Sequence, residues 1–181
     1  HTMIEKKEYT IANLEKKKAS ADMIISRALD FEIKQNMEAT IRSEAPIREQ
    51  LLFKRVINSF SLQKVGSRIL PIFNEIASSL TFMVTEENKE KVFHVDNENY
   101  FRPTPDSYVR YSYQIPYIEG ANCILYILEN SDKNSYTKKE LKNIFMEEFG
   151  YQKCGSKVDE LFSCSLKDSR IKIAKNGRIL K

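Results

Sequence analysis

"FSLQKVGSRI", Phe60–Ile69, and "FGYQKCGSKV", Phe149–Val158, are two stretches of one chain that read as near copies. Phe60/Phe149, Gln63/Gln152, Lys64/Lys153, Gly66/Gly155 and Ser67/Ser156 are identical pairs, each 89 positions apart. Arg68/Lys157 and Ile69/Val158 are conservative pairs. The register runs forward to Ile72/Leu161 and Phe73/Phe162, and back to Leu52/Leu141 and Val56/Phe145. A register shared over roughly twenty residues signals a duplicated supersecondary unit. Two copies are too few for a solenoid, so the duplication implies two similar small domains in tandem.

The residues around each copy supply the rest of the unit. Upstream of the first, the stretch to Ser43 has no Gly or Pro, and its apolar residues Met23, Ile24, Ala28, Phe31, Ile33, Met37 and Ile41 fall near helical spacing. Pro46 opens a helix with Leu52, Val56 and Phe60 at i, i+4 and i+8. "SLQKVGS" is a turn, with Ser67 a natural N-cap or first-turn residue for a helix carrying Ile69, Ile72, Phe73 and Ile76. "TFMV" and "KVFHV" flank a polar turn and read as a hairpin.

The second copy repeats this order. "EGANCILYILEN" reads as a helix. Thr137 and Glu140 form a capping box at the head of "KKELKNIFMEEF", and Gly150 closes that helix. "KVDELFSCSL" follows the turn, and "RIKIAKNGRIL" reads as a hairpin with Asn176-Gly177 as a two-residue tip. Helix, helix, turn, helix, hairpin is the order of a winged helix. The expected fold is therefore mainly α with small β-hairpins (α+β), as tandem winged-helix (helix-turn-helix) units. The boundaries are an N-terminal helical segment over 3–30, a first unit over 31–99, a linker over 100–116 and a second unit over 117–181. The linker holds Pro103, Pro105 and Pro116, and five of the nine tyrosines fall in Asn99–Tyr117, which implies extended chain packed on the domains.

Composition bounds the function. Of the 181 residues 41% are hydrophobic and 30% charged, as in a soluble globular protein. His1 and Thr2 before Met3 read as a tag remnant and carry no weight in the reading of the fold. No apolar run approaches the roughly 18 residues of a membrane span, and no signal peptide is visible. Cys123, Cys154 and Cys164 lack metal-ligand spacing, and their odd number points to reduced thiols in a cytoplasmic protein. His94, the one histidine outside the tag remnant, lies in a strand-like run and reads as structural. No phosphate-binding glycine loop, nucleotide fingerprint or nucleophile elbow occurs. The expectation is a non-enzyme with no cofactor, no metal and no small-molecule substrate.

The net charge of +4 is unevenly spread. Tyr151–Lys181 carries eight Lys/Arg against three Asp/Glu, whereas Glu86–Asn99 carries two against five. In helix-turn-helix proteins the helix after the turn enters the major groove, and its N-terminus holds phosphate. Lys64, Ser67 and Arg68 stand there in the first copy, and Lys153, Ser156 and Lys157 in the second. Gly-Ser is equally the chemistry of a tight turn and cap, whereas a capped turn needs no lysine. Gln63 and Gln152 read as bonding the turn backbone. Arg170, Lys172, Lys175 and Arg178 alternate along the second hairpin, which suits a wing resting on phosphates, or an edge strand guarded by cations. The acidic first hairpin suits neither phosphate nor DNA.

"SEAPIREQLLFKRVINSFSLQKVGSRI" resembles the pattern E-G-P-I, L, R-[IV], G, R, G-S-R-I of a bacterial domain of unknown function. That domain sits near the C-terminus of large superfamily-one helicase-like proteins, often with a Vsr-like nuclease domain. The resemblance runs from about Phe31 through "YFRPTPDSYVRYSYQIP" to the end, departing at Ala45, where the family favours Gly, and at Tyr100-Phe101, where a Trp is common. It implies an accessory part of a DNA-processing machine, with ATPase and nuclease chemistry in other domains and the helicase-like motor as partner. The leading expectation is weak binding of DNA through its phosphates. A protein-interaction adaptor and a stand-alone transcription regulator are the alternatives.

Overall fold

A computed structural model describes residues 3–181. His1 and Thr2, read as a tag remnant, lie outside the described residues. In chain order the elements are β1 (Glu5–Lys6), α1 (Ala21–Ile25), α2 (Asp30–Glu44), β2 (Ile47–Arg48), α3 (Glu49–Ser59), α4 (Leu70–Ser78), β3 (Met83–Glu87), β4 (Glu90–His94), β5 (Tyr100–Phe101), a 3₁₀ turn (Ser112–Gln114), α5 (Tyr117–Glu129), β6 (Ser135–Tyr136), α6 (Lys138–Phe149), α7 (Ser156–Ser165), β7 (Lys172–Ile173) and β8 (Ile179–Leu180). The chain is α+β, with two small antiparallel sheets and a short parallel pair. It forms two compact units, Thr10–Glu98 and a discontinuous one that joins the residues through Tyr9 to Asn99–Lys181.

In the Thr10–Glu98 unit, Ile33, Met37 and Ile41 line one face of α2 at a helical interval and are buried with Leu52, Val56, Phe60 and Phe73. The sheet order is β2-β4-β3, all antiparallel. The β3–β4 tip is Asn88-Lys89, and both residues have positive φ (51° and 66°). That matches a two-residue turn whose twist fits the strands. Most of the helical segment expected over 3–30 is not helical. Residues 7–20 carry no regular element, and only Ala21–Ile25 forms a short helix, separated from α2 by Arg27 at φ 70°.

The other unit repeats the order helix, strand, helix, helix, hairpin as α5, β6, α6, α7, β7 and β8, with sheet order β6-β8-β7. The first strand of each set pairs with the last, so both units close their sheets in the same way. Leu141, Phe145, Phe149 and Phe162 are buried at the places held by Leu52, Val56, Phe60 and Phe73. The two glycines match as well. Gly66 O accepts from Leu70 N at 2.9 Å, and Gly155 O from Asp159 N at 3.0 Å, so each opens the first turn after the link.

Three local expectations are corrected. Ser67 sits in the turn that leads into α4, closed by Leu70 N to Gly66 O, and not at the N-cap: α4 begins at Leu70 behind Ile69, without a side-chain cap. In the second copy Gly155 itself is the N-cap, in extended backbone, and Ser156 is the first helical residue. The second hairpin closes through Lys175–Gly177 rather than through two residues, with Gly177 N bonded to Ala174 O, Ala174 N to Arg178 O, and Gly177 at φ 87°. A turn followed by a left-handed Gly is a three-residue hairpin loop. Two other signals match the structure: Thr137 and Glu140 bond reciprocally, and Gly150 ends α6 at φ 88°.

Residues 3–9 and the segment after Asn99 pack together. β1 runs parallel to β5, and Ile4 and Phe101 are buried in the core with Ile124, Phe145 and Phe149. Beside them Glu119, fully buried, accepts from Arg102 N (2.7 Å), Arg102 Nε (3.0 Å), Arg110 Nη1 (2.8 Å) and Arg110 Nη2 (2.7 Å). The Tyr9 ring lies 4.6 Å from the Arg102 guanidinium and 4.1 Å from that of Arg110. Burial alone raises a carboxyl pKa, but the two arginines outweigh it and hold Glu119 down at about 2. The residues read as a linker over 100–116 are thus built into this unit.

Candidate nucleic-acid interface

The turn before α7 places Lys153 and, past it, Ser156 and Lys157 on the surface at the helix N-terminus. Lys157 reaches Glu160 one turn on at 3.4 Å, an exposed pair that solvent screens. Lys153 has no ion-pair or hydrogen-bond partner among the described residues. The same holds for Lys172 on β7 and Lys175 at the hairpin tip, both exposed.

The other two cations of this hairpin are engaged. Arg170 forms a fork with Asp168, Nε to Oδ1 at 2.9 Å and Nη2 to Oδ2 at 3.1 Å. Burial would raise the Asp168 carboxyl, and hydrogen bonds from Arg170 outweigh it and lower its pKa. Arg178, just before β8, is held as well: Nε donates to Ser135 Oγ at 2.7 Å and Nη2 to Ser135 O at 3.3 Å, which ties the hairpin to β6. The alternating row in the sequence thus divides into two unpartnered lysines and two structural arginines.

Lys64, Ser67 and Arg68 are exposed in the first copy's turn, with no partner for either cation among the described residues. Gln63 and Gln152 are exposed and make no side-chain hydrogen bond among the described residues, so the bond to the turn backbone expected of them is not formed. The acidity of the first hairpin has a structural cause. Glu87 and Glu90 face the buried Arg48 at 3.0 and 3.8 Å, and Glu90 also accepts from Gln50 N at the head of α3. Glu98 accepts from Val95 N and meets His94 Nδ1 at 2.7 Å, while Thr85 Oγ1 meets His94 Nε2. His94 is buried and fully bonded, as a structural histidine is.

Sequence reading missed a neighbouring feature. α6, α7 and β7 border a groove of about 780 Å³ lined by Lys138, Lys139, Lys142, Lys167, Asp159 and the apolar Met146, Phe162, Leu166 and Ile173. The available signal was the "KKELK" run, in which three lysines share the first turns of α6. Elsewhere, all three cysteines are free thiols. Burial pushes the Cys123 thiol well above its usual range. Among the described residues no group of His, Cys, Asp and Glu is placed to hold a metal ion. No helix among them is long and apolar enough to cross a membrane.

A family described as a protein of unknown function (DUF3320) matches residues 22–70. The match spans α1 to the first residue of α4, about a quarter of the chain, and ends before the second copy begins. The likeness read from Phe31 to the C-terminus is thus matched in its first part only. Within it, the motif residues Glu44 and Arg55 face each other: Arg55 Nε lies 3.1 and 3.0 Å from the buried Glu44 oxygens, and Ala12 N donates to the same carboxylate. This places two motif charges in a structural clamp. The comparison with curated proteins and that with solved structures give no match.

Proposed function

We propose that the chain is a non-catalytic accessory module of a helicase-like DNA-processing protein, built from tandem winged-helix units. Its C-terminal unit holds nucleic-acid backbone through Lys153, Lys157, Lys172 and Lys175. The observation that carries the reading is the coincidence of two features: the repeated helix, strand, helix, helix, hairpin order with the first strand paired to the last, and three lysines without a partner among the described residues, Lys153 ahead of α7 and Lys172 and Lys175 on the hairpin, with Lys157 held only by an exposed pair to Glu160. A cation that has no internal partner retains its full charge for phosphate, and a helix N-terminus adds unsatisfied amides. The Lys64, Ser67 and Arg68 turn of the first unit contributes less, since its hairpin is acidic. The helicase setting, the cytoplasmic location and the motor domains as partners rest on the sequence resemblance. ATPase or nuclease chemistry belongs to other domains on this reading.

The test is charge reversal on the two hairpins. Lys172→Glu with Lys175→Glu weakens binding to any duplex sequence and flattens its salt dependence. Lys89→Glu with Lys91→Glu changes it by less than about twofold, since these lysines sit among carboxylates. Equal effects from the two pairs would sink the assignment to the C-terminal unit. A second reading, a protein-docking adaptor, is favoured by one observation, the open lysine-rimmed groove.

A further inference from the structure

The duplication supplies an internal reference for that groove. By the 89-residue register, Phe53 stands where Lys142 stands, Phe73 where Phe162 stands, and Ala77 where Leu166 stands. In the first unit Phe53 is buried and meets Phe73 edge-on at 5.3 Å, so its own ring fills the place. In the second unit Lys142 leaves that place, and its ammonium swings to Asp159 at 2.5 Å. Phe162 and Leu166 then form the floor of an open groove, and Ile173 at its wall is 44% exposed. The rim changes too: Glu49, Gln50 and Ser78 of the first copy become Lys138, Lys139 and Lys167. These three lysines have no partner among the described residues, and Asp159, the one carboxylate in the lining, is held by Lys142.

We propose that this groove docks an acidic amphipathic helix of a partner protein, with an aromatic or large aliphatic anchor inserted where Phe53 sits in the first copy. The apolar floor calls for a side chain to bury, which a phosphate backbone does not carry. The lysine rim calls for Asp or Glu on the flanks of that helix. A volume of about 780 Å³ takes several side chains, in the manner of helix-in-groove recognition. The inference goes beyond backbone binding and stands independently of it.

The experiment uses the full chain and a fluorescein-labelled synthetic helix with Phe and Leu at i, i+3, i+4 and i+7 and Glu elsewhere, followed by anisotropy. A control peptide of equal charge has Ala at the anchors, and a duplex oligonucleotide is titrated in parallel. The amphipathic peptide binds at least tenfold tighter than the control. Lys142→Phe, which plugs the groove as the first copy does, weakens it at least tenfold, and so does Lys138→Glu with Lys167→Glu on the surface. Equal binding of the two peptides would overturn the proposal by reducing it to charge. So would no peptide binding up to about 1 mM. Loss of duplex binding in Lys142→Phe without any peptide binding would instead assign the groove to nucleic acid.

Discussion

Replacing Glu119 with Gln removes one charge from a fully buried group that two guanidiniums share. The carboxylate is held at about 2 against an ordinary 4.5, a gap that corresponds to about 3 kcal/mol of interaction favouring the ionised form. The amide keeps the shape but leaves Arg102 and Arg110 buried without a counter-charge, and breaking such a pair costs about 3–5 kcal/mol. The unit formed by the residues through Tyr9 and Asn99–Lys181 is of a size at which each kcal/mol moves the melting temperature by about 4–8 °C, so a fall of at least roughly 12 °C is expected. The sign with pH follows from the lowered pKa. The contribution is complete above the unfolded value near 4.5 and is lost as pH falls toward about 2. Wild type and Glu119→Gln therefore converge in stability on acidification through that window. Urea melts by circular dichroism at several pH values measure both, with hydrogen exchange of α5 amides assigning the loss to this unit. A loss under about 1 kcal/mol at neutral pH, or a difference that stays constant from pH 5 to pH 2, would refute the reasoning.

Phe149→Ala opens a hole between Phe101 and Phe145, whose rings lie 5.4 and 5.0 Å away, and costs about 3–5 kcal/mol in a denaturant melt. Phe60→Ala, at the equivalent place, costs a similar amount in the Thr10–Glu98 unit. Gly155→Ser changes stability by less than about 0.5 kcal/mol, because the site is an extended N-cap where Ser serves as well, and open space surrounds its Cα. Gly150→Ala, at φ 88°, costs about 1–2 kcal/mol in the same melts.

The parts of the fold legible in the sequence are those that short spacing encodes. Leu52/Leu141, Val56/Phe145, Phe60/Phe149 and Phe73/Phe162 repeat because each pair fills the same core position, so register alone points to buried residues. The Thr137–Glu140 box and Gly150 are chemistry within one helix end. What escaped is long-range. β1 and β5 are two residues each and lie nearly a hundred positions apart, too short for any period to show. Glu119 meets arginines from a segment that reads as linker. Arg178 looks like a wing cation until Ser135, on another strand, is seen to bind it. The groove escaped for the same reason: only the buried Phe53 at the matching position shows what Lys142 leaves open.

The central claim is that unpartnered lysines of the C-terminal unit hold phosphate, and the salt dependence of duplex binding tests it most directly. Lys153, Lys172 and Lys175 give about three neutralised phosphates, hence a slope of log affinity against log salt of about −2.7 for duplex DNA. Between about 50 and 200 mM salt the affinity then falls roughly fortyfold. A slope near this value in the full chain, reduced by about 0.9 for each of these lysines changed to Ala, is the predicted result. Absence of salt-sensitive binding at low ionic strength would contradict the account.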